Sequence, residues 1–197
     1  MKYSYKKVRE QIIKKVKDAC YKKKNYFGGK TWELHIQPVV KYSLFLGKKL
    51  GADLEVLELS ALLHDYANLI DNKKYDKQHH VYGASFARKI LKNLLPEEKI
   101  NHITDSILSH RGSSKIKAKT LEAKIIRSAD AMSHITELAD MFYLVYGIHG
   151  LNSLEGAEWL KAKLKRSWQK TMPEAKKIIS EQYIIANKIL DNTISKF

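Results

Sequence analysis

The chain has 197 residues and a mass of 22.8 kDa, a size typical of one compact domain with terminal additions. Hydrophobic residues make up 44% and charged residues of both signs 29%, which excludes disorder of the whole chain. The 36 lysines and arginines exceed the 21 acidic residues and give a net charge of +15, which raises the question of an anionic partner.

The positive charge is unevenly distributed along the chain. Residues 1–30 carry eleven basic and two acidic side chains, residues 31–150 carry sixteen and fourteen, and residues 151–197 carry nine and five. A nearly neutral middle between basic ends is typical of a catalytic or binding core with electropositive terminal helices. We therefore do not favour a nucleic-acid partner and interpret the N-terminal basicity as an accessory feature.

Cysteine usage and hydropathy bear on the location of the protein. The single cysteine, Cys20, cannot form a disulfide within the chain, which excludes the disulfide-rich secreted class and fits a reducing cytoplasm. No apolar run approaches the roughly 20 residues that cross a bilayer, and the N-terminus lacks the continuous apolar stretch of a signal peptide. These features predict a soluble, cytoplasmic protein without a membrane partner.

The hydrophobic pattern of the first half of the chain predicts three helices. The first has one apolar face opposite its lysines and ends near Lys22–Lys24 and Gly28–Gly29. That face is formed by Val8, Ile12, Ile13 and Val16. A second helix covers roughly 31–50 and stops at Gly51. Asp53 is a suitable N-cap for a buried central helix over 53–69.

The second half of the chain continues in the same way. Helices are predicted over about 77–94, from Pro96, from Thr120 to about 147, near 154–169 and from Pro173. No alternating strand pattern competes with them, so the predicted fold class is an all-α helical bundle with additional N- and C-terminal helices. We divide the chain into a basic N-terminal helix (1–30), a central domain (31–150) and C-terminal helices packed on the same domain (151–197).

The adjacent residues His64 and Asp65 lie near the end of the most hydrophobic helix. Burying an imidazole and a carboxylate together is costly unless something compensates, and a divalent metal does so because both groups are its standard ligands. Asp130, an acid among apolar neighbours, presents the same problem, and His35 lies one helix earlier. Ligands from different helices of a bundle can converge, but a helix cap or a hydrogen-bonded surface pair explains His64 and Asp65 equally well.

Four ordered stretches of the chain resemble the HD superfamily of metal-dependent phosphohydrolases, an all-helical family named after an adjacent His-Asp pair. They are WELHIQPVVKYSLFLGKKLGADLEVLELSALLHDYANL, HHVYGASFARKIL, ITDSILSHRG and TLEAKIIRSADAM. The resemblance implies that the central domain is an HD metal-binding domain. It also implies that His35, His64, Asp65 and Asp130 bind one divalent metal ion.

Members of this family with two metals add two histidines between the pair and the final aspartate. By this resemblance His79, which precedes Gly83 and Ala84, and His110, which closes the next helix, would hold a second ion or contact the substrate phosphate. His80 is the neighbouring alternative. A surface position for His79 and a dipole-favoured helix end for His110 are the interpretations without a function.

The remaining histidines match no position of the family pattern. We expect His134 and His149 to be packing or surface residues and His102 to be exposed on its helix. The aromatic run 141–146, MFYLVY, is more typical of a core or a dimer surface than of a nucleobase platform.

One departure from the family concerns the residues directly after the His-Asp pair. Several subfamilies have a lysine within three residues of the pair, where this chain has Tyr66-Ala67-Asn68. Phosphate charge would then be met elsewhere. Arg111, next to His110, is the leading candidate, and Lys115 and Arg127 are weaker ones whose charge is equally explained by solvation.

The resemblance implies hydrolysis of a phosphate ester or anhydride in a small anionic substrate, with nucleotides as the first class to test. One or two ions of Mn²⁺, Fe²⁺, Ni²⁺ or Mg²⁺ would lower the pKa of bound water and polarise the phosphoryl oxygen. His64, Asp65 and Asp130 would be the catalytic residues, with Asp65 bridging two ions if two bind. Two alternatives stay open: a di-iron oxygenase on the same six ligands, and a non-enzymatic nucleotide or nucleic-acid binder that uses the Lys22–Lys24 region.

Overall fold

A computed structural model describes residues 3–22, 27, 29–112, 114 and 116–197. None of these residues forms a β-strand, and the predicted all-α fold class is confirmed. The described α-helices are α1 (Tyr5–Cys20), α2 (Gln37–Leu50), α3 (Leu54–Leu63), α4 (Tyr66–Tyr75), α5 (His79–Leu91), α6 (Glu97–Ser109), α7 (Leu121–Thr136), α8 (Leu138–Phe142), α9 (Ser153–Lys170) and α10 (Pro173–Ile194). We predicted that the first helix ends near Lys22–Lys24 and Gly28–Gly29, and of these residues the structure describes Lys22 and Gly29. The candidate Lys115 lies outside the described residues.

The central helix predicted over 53–69 is two helices. Asp53 caps α3 as expected, because its side chain accepts hydrogen bonds from the backbone amides of Glu55 at 2.9 Å and Val56 at 3.1 Å. The helix then ends at Leu63, and Asp65 takes a non-helical backbone conformation (φ −105°, ψ 13°) before α4 begins. The His-Asp pair therefore lies at a junction between two helices and not inside one.

The long helix predicted from Thr120 is also interrupted. The Thr120 side chain accepts a hydrogen bond from the Ala123 amide at 3.1 Å and caps α7, but Glu137 (φ −92°, ψ 53°) ends this helix early. A short α8 and a π-turn over Tyr143–Ile148 follow. A second π-turn, Trp32–Ile36, precedes α2 and contains His35, and such turns occur frequently at functional sites.

The interior consists of two apolar clusters that share α3. Leu57 and Ala61 of α3 belong to a cluster with α2, α7, α9 and α10. Leu59 and Leu62 face a second cluster with α1, α4, α5 and α6. This arrangement explains why α3 carries apolar residues on more than one face. It also places the His-Asp junction at the C-terminal end of α3, which separates the two clusters.

The C-terminal helices cover the open side of α7. A capping box starts α9, in which the Asn152 side chain accepts a hydrogen bond from the Glu155 amide at 3.0 Å. A Cβ atom at Gly156 would lie 2.2 Å from the Tyr146 ring, so only glycine allows α9 to pack this closely on the second π-turn. Among the described helices, none combines the length and the apolar character that a membrane span requires.

Candidate metal centre

The structure brings together four side chains that the sequence separates by almost 100 residues. His35 comes from the first π-turn, His64 and Asp65 from the α3–α4 junction and Asp130 from α7, and all four are buried. The His35 Nε2 atom lies 3.2 Å from His64 Nε2, 3.5 Å from Asp65 Oδ2 and 3.6 Å from Asp130 Oδ1. We call these four residues the first ligand set.

A second ligand set consists of His79, His110 and Asp65. His79 begins α5 and His110 follows the last residue of α6. Their Nε2 atoms lie 3.2 Å apart, and Asp65 Oδ1 is 3.5 Å from His79 Nε2 and 3.8 Å from His110 Nε2. His80, the alternative to His79, is buried beside it, and its Nδ1 has no hydrogen-bond partner among the described residues.

Asp65 belongs to both sets through different oxygens. Its Oδ2 faces His35 and His64, and its Oδ1 faces His79 and His110. Burial alone would raise the pKa of this carboxyl, but the imidazoles of His64 and His79 outweigh it and hold the pKa well below its usual range. The carboxylate is therefore ionised near neutral pH and has the arrangement of a bridge between two ions.

Three of the histidines have a fixed tautomer. The Nδ1 atoms of His64, His79 and His110 lie 2.7, 2.7 and 2.6 Å from the backbone carbonyls of Ala61, Asp76 and Ile107. A carbonyl only accepts hydrogen bonds, so each Nδ1 donates and each Nε2 directs a lone pair at its ligand set. Burial also lowers the pKa of His64 and His110, which keeps both imidazoles neutral.

These donor sets fit divalent metal ions. Donor atoms at about 2.0–2.2 Å from one ion lie about 3–3.6 Å from one another, and the separations here run from 3.2 to 3.8 Å. Within each of the groups His35-His64-Asp65 and Asp65-His79-His110, all the donor atoms lie within 4.8 Å of one another. Mixed imidazole and carboxylate donors suit Mn²⁺, Fe²⁺, Ni²⁺ or Zn²⁺.

Close packing of α5 on the His-Asp junction positions the second set. A Cβ atom at Gly83 would lie 3.0 Å from the backbone carbonyl oxygen of His64. A larger residue would push α5 away from the junction and carry His79, one helical turn earlier, with it. The Gly83-Ala84 pair that follows His79 thus has a steric role.

Two residues near Asp130 were not predicted from the sequence. Lys170, the last residue of α9, forms an ion pair with Asp130 Oδ2, and both side chains are about nine-tenths buried. Burial opposes ionisation of Asp130, but the Lys170 ammonium and His134 hold its pKa well below the usual range. Lys170 thus neutralises one carboxylate of the first ligand set.

His134 is the other residue: it packs in the interior, which was one of our two expectations, but it also lies beside the first ligand set. Its Nε2 lies 3.6 Å from Asp130 Oδ1, its ring stacks on that of His35 with centroids 5.5 Å apart, and it lines the pocket. Burial lowers its pKa well below the usual value. The sequence contained a signal for this position, because His134 follows Asp130 by four residues and positions i and i+4 share a helix face.

A pocket of about 410 Å³ opens above the two ligand sets. Asp65, His79, His110 and Asp130 line its floor, whereas α9 and the segment after α6 form its walls. Its lining cations are Arg111, Arg127, Lys163, Arg166 and Lys170. Both described phosphate-binding candidates, Arg111 and Arg127, are therefore at the pocket, together with three cations of α9.

The two histidines remaining lie away from the ligand sets. His102 is partly buried and not exposed as expected, because its Nε2 lies 2.9 Å from the Glu122 carboxylate. His149 is exposed, with its ring centroid 5.6 Å from that of Trp159. In the run 141–146, Met141, Leu144 and Val145 are buried and both tyrosines are exposed.

In this helical bundle, histidines from four segments surround one shared aspartate. The protein is therefore an all-α protein with a candidate His/Asp metal site. The HD domain model matches residues 34–135, and the chain belongs to this family. A predicted HD superfamily hydrolase from an uncultured Thermotogales bacterium is similar in structure at 17% identity, over 95% of this chain and 91% of that one, with a TM-score of 0.64. Bacillus subtilis YpgQ, solved in complex with ADP, is 19% identical over 98% and 96% of the two chains, with a TM-score of 0.69. Comparison with curated proteins finds no match.

Proposed function

We propose that the protein is a metal-dependent phosphohydrolase that cleaves a phosphate ester or anhydride of a nucleotide. The observation that carries this proposal is the shared carboxylate of Asp65, which faces two histidine sets at the floor of a cationic pocket. Two donor sets that share one carboxylate favour two ions close enough to contact one phosphoryl group. The surrounding arginines and lysines favour an anionic substrate.

In this proposal the ligands have distinct roles. His35, His64, Asp65 and Asp130 hold the first ion, and Asp65, His79 and His110 hold the second. A bound divalent ion supplies Lewis-acid polarisation of the phosphoryl oxygens and lowers the pKa of a coordinated water. Asp65 and Asp130 are ionised near neutral pH, since their pKa values lie well below the usual range, so either can accept a hydrogen bond from the attacking water and orient it.

The cations of the pocket meet the charge of the substrate. The Arg111 guanidinium donates a hydrogen bond to the Lys77 carbonyl, and Arg127 donates one to the Gly112 carbonyl at 3.3 Å, so both side chains are anchored at the pocket edge. Arginine has a planar fork of donors that suits phosphate oxygens. We propose that Arg111 contacts the transferred phosphoryl group and that Arg127 supports it.

The nucleotide class is the finer part of the proposal. YpgQ, which has the same fold, was solved with ADP, and the pocket volume of about 410 Å³ is within the range of small-molecule sites. Two divalent ions beside a set of arginines and lysines suit a phosphorylated ligand better than a neutral one.

A substrate screen tests the proposal directly. Nucleoside mono-, di- and triphosphates are incubated with Mn²⁺, Mg²⁺, Ni²⁺ or Co²⁺, and released phosphate and pyrophosphate are measured. Metal-dependent release that chelation abolishes is expected. The absence of release for every pair of substrate and ion would refute the proposal.

Oxygen uptake separates hydrolysis from the di-iron alternative. Hydrolysis consumes no oxygen, so activity under anaerobic conditions is expected to equal that in air. Oxygen consumption that depends on bound iron, without phosphate release, would instead favour an oxygenase. Nucleic-acid binding that survives His64→Ala and Asp65→Ala would favour the binding alternative, because phosphate contacts on a basic surface need no metal.

A further inference from the structure

One face of α9 carries cations at the spacing of successive helical turns. Lys163, Arg166 and Lys170 follow one another at i, i+3 and i+7, so they share one helix face and cover about 10 Å of its length. All three line the pocket above the ligand sets. Helix α9 lies outside residues 34–135, which the HD domain model matches.

The three cations differ in their partners. Lys170 is paired with Asp130, whereas within the described part of the chain neither Lys163 nor Arg166 has an ion-pair partner. Burial lowers the pKa of Lys163 to about 8, although the nearby Asp130 opposes this. Like charges held close together repel one another, and a bound anion would reduce this repulsion.

The charge of the whole pocket indicates what kind of anion fits. The lining contains five cations and three acids, Asp65, Asp76 and Asp130, so the pocket is positive before any metal ion binds. A single phosphate group carries about −1.5 to −2 charges near pH 7. Divalent ions in the two ligand sets would leave a positive excess that one phosphate group does not neutralise.

We propose that α9 is the polyphosphate-binding arm of the pocket, in which Lys163 and Arg166 hold the phosphates beyond the one at the metal centre. The substrate class is then a nucleoside di- or triphosphate and not a monophosphate. This inference rests on the proposed function, since α9 would act on the same substrate. Lys163 and Arg166 are specificity-determining residues in this arrangement, because they distinguish a phosphate chain from a single phosphate group.

Direct binding tests the inference without metal. The full-length protein in EDTA is titrated calorimetrically with inorganic tripolyphosphate and with orthophosphate. Wild-type protein is expected to bind tripolyphosphate at least about 10-fold more tightly, because more than one charge-assisted contact contributes. Lys163→Gln and Arg166→Gln should each weaken tripolyphosphate binding by about 10-fold to 100-fold and leave orthophosphate binding nearly unchanged.

Matched variants separate charge from helix damage. Lys165 lies on the same helix but is exposed and does not line the pocket, so Lys165→Gln should alter binding by no more than about 2-fold. Lys163→Arg keeps the cation and should recover most of the affinity. Melting temperatures of all variants are compared with that of the wild type, and a loss of affinity in a variant that melts normally is assigned to the side chain.

The outcomes distinguish this inference from the proposed function. Equal wild-type affinity for tripolyphosphate and orthophosphate, or no effect of Lys163→Gln and Arg166→Gln, would overturn the role of α9 even if the protein hydrolyses nucleotides. Selective tripolyphosphate binding that these variants weaken, in a protein that releases no phosphate with any ion, would support α9 as an anion site and refute the hydrolase. In an active enzyme, the same variants should lower kcat/KM for a triphosphate far more than for a monophosphate.

Discussion

The ion pair between Lys170 and Asp130 provides the sharpest test of how the site is held together. Lys170→Met removes the ammonium and keeps most of the apolar stem, which packs on Gly112, where a Cβ atom would lie 2.7 Å from the Lys170 Cδ. The variant leaves Asp130 buried without its cation. Because Asp130 also belongs to the first ligand set, its charge would then depend on a bound metal for compensation.

The stability lost in Lys170→Met can be judged from the burial of the ion pair. The side chains of Lys170 and Asp130 are 10% and 8% exposed, so solvent screens the pair little. Removal of one partner from a buried ion pair costs about 3–5 kcal/mol. For a chain of this size, such a loss lowers the melting temperature by about 6–20 °C. The loss should shrink at acidic pH, because a protonated Asp130 needs no counter-charge.

Thermal unfolding in EDTA and in excess Mn²⁺ measures both effects. In EDTA, Lys170→Met should melt well below the wild type, and Mn²⁺ should raise the melting temperature of the variant more than that of the wild type. Lys161→Met is the matched control. Lys161 lies on the same helix as Lys170 and forms an exposed ion pair with Asp191 of α10, and this pair should contribute about 0–1 kcal/mol to stability. A Lys170→Met variant that melts within about 2 °C of the wild type in EDTA would refute the reasoning.

Three further results are expected. Asp65→Ala should abolish metal binding and phosphatase activity together, because Asp65 faces both ligand sets; metal-dependent turnover in this variant would contradict its role. Replacement of both His79 and His110 by Ala should reduce the metal content, measured by mass spectrometry of the purified protein, from two ions to one, and an unchanged content would mean that only the first set binds. The metal-free protein should lose stability as the pH falls below about 6.5, the ordinary histidine pKa. Burial lowers the pKa of His64 and His110 in the folded state. The unfolded chain therefore takes up protons that the folded chain does not, and this uptake favours unfolding. Denaturant unfolding at pH 7.5 and 5.5 measures this loss, which His64→Gln should reduce.

The helix ends that sequence reasoning located correctly are those with a local chemical cause. Asp53 and Thr120 cap α3 and α7 through hydrogen bonds to amides two or three residues later. Gly51 ends α2 in the left-handed conformation, with φ at 75°. These signals act over one helical turn, so they are visible in the sequence itself.

The helix breaks at the site have no such local cause. The segments around Asp65 and Glu137 contain neither proline nor glycine and continue the apolar pattern, so one long helix was predicted in each case. These two breaks separate α3 from α4 and α7 from α8. A pattern within a short window of the sequence does not report packing between distant helices, which can override local propensity.

The ligand positions show the same division between local and distant information. The resemblance to the HD superfamily named six residues that the structure brings into the two ligand sets, because that family pattern contains information about contacts across the chain. His134 was detectable from its spacing to Asp130 on one helix. Lys170 was not, since forty residues and a different helix separate it from Asp130.

The net charge of +15 has a more specific meaning in the folded protein than in the sequence. Part of the N-terminal excess lies on α1, which packs on α3 and α4, and no α1 residue lines the pocket. The smaller C-terminal excess includes Lys163, Arg166 and Lys170, which do line it. A tally of charge along the chain does not report which cations face a bound anion, because the effect of a cation depends on its separation from the anion and on the polarity of the medium between them. Three cations within one pocket therefore bear more on substrate choice than nine excess charges in the N-terminal thirty residues.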